Sequence, residues 1–293
     1  MSRRHALLGV AIAVVWGLNF VVIEAGLKVF PPLLFVALRF LVLVPFVFVV
    51  RRPNVPFRYI AGVGATSGAL QFGLLFLSLY LGMPPGIASL IVQIQVVFTI
   101  AIAAVVLGER PQWRQLAGAA VAVGGVVLIA TTRVGPVIPL GALTLCIAGA
   151  AAWATGNVIT RIARPDDAVA FLAWTCLIPP VPLLALSLII EGPGRIVAAG
   201  RSLTLSAVLA LLYVALLASG FGYMAWAYLL RRYPASTVAT ISLMVPVVGL
   251  ASAAIFVRES PSPSELIGAA IVLVGLALAL RSARPRPAPA LDT

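Results

Sequence analysis

Long apolar runs make up most of the chain, and they are separated by short stretches that contain arginine, proline or glycine. A helix needs about 20 predominantly apolar residues to cross the hydrocarbon core of a bilayer. The runs have this length and contain almost no charged residues. The pattern therefore predicts ten membrane-spanning helices, at residues 5–27, 32–50, 58–81, 86–107, 112–132, 138–160, 168–190, 204–230, 235–257 and 263–281.

Composition supports an all-α integral membrane protein. Of the 293 residues, 62% are hydrophobic and 10% are charged, and the mean hydropathy is +1.14, far above that of soluble domains. The first run has a basic start, as a signal peptide has, but it lacks a small-x-small cleavage site and many spans follow it, so we expect a retained helix. The loops are too short for a soluble domain, and residues 282–293 are predicted to form a disordered cytoplasmic tail.

The basic residues that give the net charge of +12 lie between the apolar runs and form no continuous stripe, as a nucleic-acid-binding surface would. We therefore interpret the positive charge as an indicator of membrane topology. Cytoplasmic loops of membrane proteins retain an excess of lysine and arginine. Loops on one side of the ten predicted spans carry fourteen of these residues, and loops on the other side carry five. We therefore expect a multi-pass membrane protein with both termini in the cytoplasm.

The chain contains an internal repeat. A shift of 150 residues aligns 107–128 with 257–278, and nearer the start of each half the shift is 137. Five helices per copy is an odd number, so the second copy enters the membrane from the opposite side. We expect inverted repeats at residues 1–135 and 136–281, the architecture of alternating access. Matched pairs include Glu109 and Glu259, Pro111 and Pro261, Gly118 and Gly268, Gly125 and Gly275, Pro84 and Pro234, Trp16 and Trp153, and Pro45 and Pro182.

Two motifs carry a resemblance to a known family. Trp16-Gly17-Leu18-Asn19-Phe20 on the first helix and Gly108-Glu109-Arg110-Pro111 after the fourth resemble EamA-type carriers of the drug/metabolite transporter superfamily. The second copy departs from the pattern, because Arg258 replaces the glycine and Trp153 and Asn157 are one residue further apart. The resemblance implies a ten-helix inner-membrane carrier with a central cavity between its halves. The overall pattern is most similar to YddG-type exporters of amino acids and aromatic metabolites.

Polar residues within the spans are candidates for a substrate site, because such groups normally face a protein interior or a wet cavity. Trp16, Asn19 and Phe20 share one helix face. On the sixth helix, Trp153, Asn157 and Thr160 share a corresponding face. An aromatic plane beside an amide suits an amphipathic ligand. The alternative is that these residues pack helices together.

Other spans add candidates to this site. Gln93 and Gln95 are two residues apart and cannot share a face, so we favour Gln93 with Ser89 as cavity lining. Arg39 lies deep in an apolar run and could meet a substrate carboxylate, carbonyl groups or Glu24, or could extend to the membrane surface. The remaining candidates are Gln71, Tyr80, Tyr223, Trp226 and Ser242. For Tyr223 and Trp226, packing on another helix is the alternative.

Three prolines are candidate hinges, with static kinks as the alternative. Pro45 and Pro182 are repeat-related and lie in the second and seventh spans. Pro246 in the ninth span frees the carbonyl of Ser242 for a ligand or a bend, because proline has no backbone N–H. The fourth span has Val96 at the matching position. The glycines of the fifth and tenth spans are expected to let helices approach closely within one chain. We expect a monomer, and the alternative is that these glycines form the interface of a homodimer.

Several functions are disfavoured by what the spans lack. They have no aspartate or glutamate near the middle, which disfavours proton-coupled export of lipophilic cations. Cys146, Cys176 and His5 form no metal or disulfide pattern, so no cofactor is expected, and no nucleophile and base occur together as an enzyme would need. We predict an exporter of small amphipathic metabolites, chiefly amino acids. A drug, nucleoside or other metabolite carrier, or a membrane receptor or assembly factor, is the alternative.

Overall fold

The structure is a computed structural model, and it describes residues 1–133, 138–233, 238 and 241–281. Helices account for nearly all of this part of the chain. Nine of them are long and apolar enough to cross a membrane, and a tenth apolar helix is shorter within the described residues. They are α1 Arg3–Leu27, α2 Pro32–Val49, α3 Phe57–Tyr80, α4 Pro85–Leu107, α5 Trp113–Arg133, α6 Leu140–Ala163, α7 Ala168–Glu191, α8 Leu205–Leu229, α9 Met244–Val257 and α10 Pro263–Arg281.

The predicted all-helical membrane fold is confirmed, with boundaries within a few residues of the expected ones for most spans. One additional helix, Pro193–Arg201, lies in the long connection between α7 and α8. It follows from local sequence, because Pro193 occupies its first turn, where the missing N–H costs nothing. The predicted start of the ninth span, the 135/136 repeat boundary, Pro234 and the tail at 282–293 lie outside the described residues.

Several helices depart from regular α geometry. The second half of α2, Val44–Val49, is a 3₁₀ helix that contains Pro45. The π-helical segments lie at Gly64–Leu70 in α3, Ser187–Glu191 in α7, Tyr213–Phe221 in α8 and Ala253–Val257 in α9. Pro182 is exposed in the second part of α7, whereas Pro246 is buried in α9. Such irregularities often occur at functional sites, and hinge roles for the three prolines stay predictions.

Helices α5 and α10 pack against each other through reciprocal glycine contacts. A Cβ on Gly118 would lie 2.5 Å from the carbonyl oxygen of Gly275, and a Cβ on Gly125 would lie 2.7 Å from that of Gly268. Gly118 and Gly268 are repeat-related, as are Gly125 and Gly275. Each contact is therefore the image of the other, as a two-fold axis between α5 and α10 requires. The predicted close approach at the small-residue face is an intramolecular contact here.

The repeat also extends to the backbone that ends α4 and α9. Gly108 and Arg258 both adopt left-handed conformations, with φ of 65° and 58°. The amide of Glu109 donates to Ala103 O at 3.5 Å, and that of Glu259 donates to Ala253 O at 3.2 Å. The second copy therefore keeps the same helix ending without its glycine. A non-glycine residue in this conformation costs about 1–2 kcal/mol.

The two halves interlock through their first helices. Helix α1 of the first half packs on α8 and α9 of the second, and α6 of the second half packs on α3 and α4 of the first. Gly17 allows the approach of α1, since a Cβ there would lie 2.9 Å from the carbonyl oxygen of Val245. The polar faces predicted on α1 and α6 therefore lie at contacts between the halves.

The reciprocal contact predicts that adding one methyl group at Gly118 destabilises the protein. The new Cβ would overlap backbone atoms of α10 that cannot move independently, so we expect Gly118→Ala to reduce stability by about 1–3 kcal/mol. Gly124→Ala is the matched control on the same helix, because a Cβ there meets nothing within 4 Å. The measurement is the thermal unfolding midpoint of purified protein in detergent. Equal midpoints for the two variants would contradict the packing.

Candidate functional site

Trp16 is the centre of an aromatic group between α1 and α8. Its indole Nε1 donates to the carbonyl of Ala218 at 2.9 Å, within the π-helical part of α8. The centroid-to-centroid distance from the Trp16 ring is 5.6 Å to the ring of Tyr223 and 5.3 Å to the ring of Trp226. Gly222 provides the space, because a Cβ there would overlap the indole. The structure thus brings together three of the predicted aromatic residues, one from the first half of the chain and two from the second.

Asn19 lies about one helical turn beyond Trp16 on the same helix. The residue is 7% exposed, and its side-chain oxygen Oδ1 is buried without a hydrogen-bond partner. Phe20 beside it is part of the apolar core. A buried acceptor without a partner is costly unless something else satisfies it. This face of α1 therefore combines an aromatic surface with an unused acceptor.

The corresponding face of α6 has its hydrogen bonds made within the protein. Asn157 Nδ2 donates to Gln95 Oε1 at 2.9 Å, and Thr160 Oγ1 donates to the carbonyl of Gly156 at 2.8 Å. Trp153 packs against the apolar core. The sequence favours Gln93 over Gln95 as a residue of the cavity lining, but in the structure Gln95 links α4 to α6 through its bond with Asn157. Thr99, which is four residues further along α4 and bonds Gln95, was a signal that this face is polar.

The carbonyl freed by Pro246 has a protein partner. Gln93 Nε2 donates to the backbone oxygen of Ser242 at 3.0 Å, which joins α4 to the chain just before α9. Ser89, four residues earlier, donates to the carbonyl of Gly86 at 2.6 Å and packs against Gly249. Both predicted polar residues of α4 therefore face the second half of the molecule.

Arg39 and Gln71 are deeply buried and incompletely hydrogen-bonded. Arg39 is 2% exposed, so it does not extend to the surface, and its Nε donates to Ser219 Oγ at 2.8 Å. Its Nη1 has no partner, and neither has Oε1 of Gln71, a residue 3% exposed. Tyr80 is different, because it is 46% exposed and accepts a hydrogen bond from Arg195 of the connecting helix at 2.8 Å.

The repeat places different charges at the two ends of the bundle. At the end where α1 begins, Glu109 pairs with Arg161 at 2.6 Å. Shifts of 150 and 137 residues relate these two residues to Glu259 and Glu24 at the opposite end. There, Glu259 Oε2 accepts from the amide of Gly86 at 3.2 Å, and Glu24 and Glu265 are its charged neighbours. Burial, and then repulsion from these two carboxylates, raises the pKa of Glu259 to about 7.

The fold and this site define a class of protein. In the described part of the chain, ten apolar helices form two interlocked halves related by reciprocal contacts, and unsatisfied polar groups occur where the halves meet. This is the architecture of a membrane carrier. The chain belongs to the EamA-like transporter family, which it matches over residues 3–131 and 140–281. The family resemblance of the two motifs is thereby confirmed.

Two relatives with named functions are similar over nearly the whole chain, and a third is similar over about two thirds of it. A probable amino-acid metabolite efflux pump of Salmonella typhimurium is 43% identical over 94% of both chains, and one of Escherichia coli K12 is 41% identical over the same shares. A probable terminal-alkyne amino-acid exporter of Streptantibioticus cattleyicolor is 29% identical over 67% of this chain and 64% of its own. A crystal structure 22% identical in sequence covers 95% of this chain and 97% of its own with a TM-score of 0.64, which supports the fold.

The raised pKa of Glu259 predicts a pH-dependent effect on stability. The folded protein holds this proton more tightly than the unfolded chain, so stability decreases as the pH rises from about 4.5 to about 7. Glu259→Gln removes the unfavourable charge. We expect the variant to have a higher unfolding midpoint than the native chain at pH 8, and the difference to disappear near pH 4.5.

The matched control is Glu109→Gln at the repeat-related position. Glu109 is paired with Arg161 and exposed, so this variant should show no gain at pH 8. Unfolding midpoints in detergent across this pH range test both variants. A gain for Glu259→Gln that is equal at both pH values would contradict the assignment.

Proposed function

We propose that this transporter exports amino acids, neutral and aromatic ones included, by alternating access. The observation that carries the proposal is the unpartnered Oδ1 of Asn19 beside the aromatic group of Trp16, Tyr223 and Trp226. An amphipathic metabolite has an apolar body for the rings and hydrogen-bond donors for the acceptor. The names of the bacterial relatives, which are amino-acid metabolite efflux pumps and an amino-acid exporter, support the same substrate class.

Alternating access is supported by the way in which the halves are joined. Residues 1–135 and 136–281 would move against each other about the α5–α10 contact, where the glycine pairs are reciprocal. The first helix of each half lies in the other half, so relative motion would rearrange the faces of α1 and α6 together. Two inverted copies of one structure can exchange conformations of similar energy, open to either side.

The proposed location is a bacterial inner membrane with both termini in the cytoplasm. The fourteen-to-five distribution of lysine and arginine supports this orientation, and the two relatives named amino-acid metabolite efflux pumps are from bacteria. Glu24, Glu259 and Glu265 would then face the periplasmic side, and the pair of Glu109 and Arg161 would face the cytoplasm. The proposed partners are the small-molecule substrate and the lipid bilayer.

Flux from liposomes tests the function. Purified protein is reconstituted into liposomes that are loaded with labelled phenylalanine, leucine or another amino acid, and release is followed over time. We expect saturable release that empty liposomes lack. Saturable flux of a nucleoside or drug, with none for any amino acid, would overturn the proposed substrate class, and flux of no solute would favour a receptor or assembly role.

Asn19→Ala separates substrate contact from helix packing. Because Oδ1 has no protein partner, its removal breaks no hydrogen bond of this atom within the protein. We expect membrane abundance to be retained while transport decreases about tenfold, the equivalent of one lost hydrogen bond to a charged group. Val14→Ala, an exposed position on the same helix, is the control and should retain transport. Loss of abundance with Asn19→Ala would show that the residue holds the halves together.

A further inference from the structure

Arg39 is a buried cation whose environment leaves one of its donors unused. The guanidinium carbon Cζ lies over the ring of Phe72, 3.7 Å from the ring centroid. Its Nε is held by Ser219 Oγ at 2.8 Å, and Ser219 in turn donates to the carbonyl of Val214 at 2.7 Å. Nη1 is buried and has no hydrogen-bond partner. The side chain is thus fixed by a ring and a hydroxyl while a charged donor remains available.

The described residues supply no negative charge to Arg39. Their ion pairs are Arg161 with Glu109 and Arg231 with Asp167, and both lie at exposed positions. The titratable neighbours of Arg39 in the described structure are Tyr223 and Cys176, whose side chains are ordinarily uncharged at neutral pH. A buried charge without a counter-ion is unfavourable in a membrane protein, and such residues commonly mark substrate pathways.

The chemistry of the vacant donor favours a carboxylate. The planar guanidinium matches the geometry of a carboxylate, which can accept hydrogen bonds from it. The ring of Phe72 packs against the guanidinium and limits its movement. A phosphate dianion would call for more than one buried cation. The carboxylate of a small substrate would therefore neutralise the charge of Arg39 and satisfy Nη1 at the same time.

Unused acceptors occur on the elements next to Arg39. Tyr223 lies beside the guanidinium and packs on Trp16, and Asn19 follows Trp16 on α1. Gln71 is adjacent to Phe72, the ring beneath Arg39. Oδ1 of Asn19 and Oε1 of Gln71 are buried acceptors without partners. One vacant cationic donor and two vacant acceptors are complementary to an α-amino acid, which carries a carboxylate and an ammonium group.

We propose that Arg39 binds the free carboxylate of the substrate and so makes a carboxylate a requirement for recognition. This inference deepens the proposed export of amino acids and rests on it for the identity of the natural substrate. It assigns to Arg39 a specificity role that the aromatic group cannot provide, because rings recognise the body of the ligand and not its charge. A merely structural Arg39 would leave selectivity between acids and amides unchanged.

The test compares molecules that differ only in the carboxylate. In liposomes, unlabelled phenylalanine and phenylalaninamide compete with labelled phenylalanine for export by the native chain, Arg39→Gln and Arg39→Lys. We expect phenylalanine to compete about 10–100-fold better in the native chain, the range for a charge-assisted hydrogen bond. The preference should fall to about onefold in Arg39→Gln and be partly retained in Arg39→Lys. Arg201→Gln, an exposed arginine of the connecting helix, is the control that keeps the preference.

A binding measurement keeps this inference separate from the proposed function. Thermal stabilisation of the native chain and of Arg39→Lys in detergent is compared for 3-phenylpropionate and its amide, which need not be exported. Stabilisation by the acid alone in the native chain, weakened in Arg39→Lys, supports carboxylate binding even if amino acids are not the cargo. Equal competition by acid and amide in the native chain, or an unchanged preference in Arg39→Gln, would overturn the role of Arg39 while leaving amino-acid export intact.

Discussion

Hydrocarbon offers no hydrogen-bond partners, and this constraint determines how the polar residues of the bundle must be arranged. Every polar side chain within the spans has to be satisfied by the protein or by something that enters it. Most are satisfied internally: Asn157 by Gln95, Gln93 by Ser242 and Trp16 by Ala218. The exceptions in the described part of the chain include Asn19, Arg39 and Gln71. Polarity alone does not separate a packing residue from a candidate ligand contact, but the remaining hydrogen-bonding capacity does.

The inverted repeat gives a symmetric scaffold on which the side chains are not symmetric. The reciprocal glycines of α5 and α10 and the left-handed helix ends at Gly108 and Arg258 are shared by both halves. The polar residues have diverged: Asn19 keeps an unused acceptor, whereas its counterpart on α6 is bonded to α4. Exchange between two conformations depends on the shared backbone, while recognition of one substrate needs an asymmetric site. The chain meets both requirements with one duplicated fold.

Most of the fold could be predicted from sequence because a bilayer enforces a simple rule of length and hydropathy. The repeat was equally visible, since Glu109, Pro111 and Gly118 recur in register with Glu259, Pro261 and Gly268. The connecting helix at Pro193–Arg201 was missed because it is short and outside the membrane, where the rule does not apply. The choice of Gln93 over Gln95 was based on one helix alone, and the structure gives each glutamine a partner on a different neighbour. Helix pairing across a fold of this length is not encoded in local periodicity.

The two ends of the bundle show how the divergence of a repeat can change the balance between conformations. Glu109 and Arg161 form an ion pair across the contact between α4 and α6, with 2.6 Å between the carboxylate oxygen and the guanidinium nitrogen. At the repeat-related contact, arginine is replaced by Glu24, so that Glu259 faces a like charge and shares the region with Glu265. With its pKa at about 7, Glu259 changes charge near neutral pH. Equal backbones therefore do not imply equal electrostatics at the two ends, because one holds an ion pair and the other brings carboxylates together.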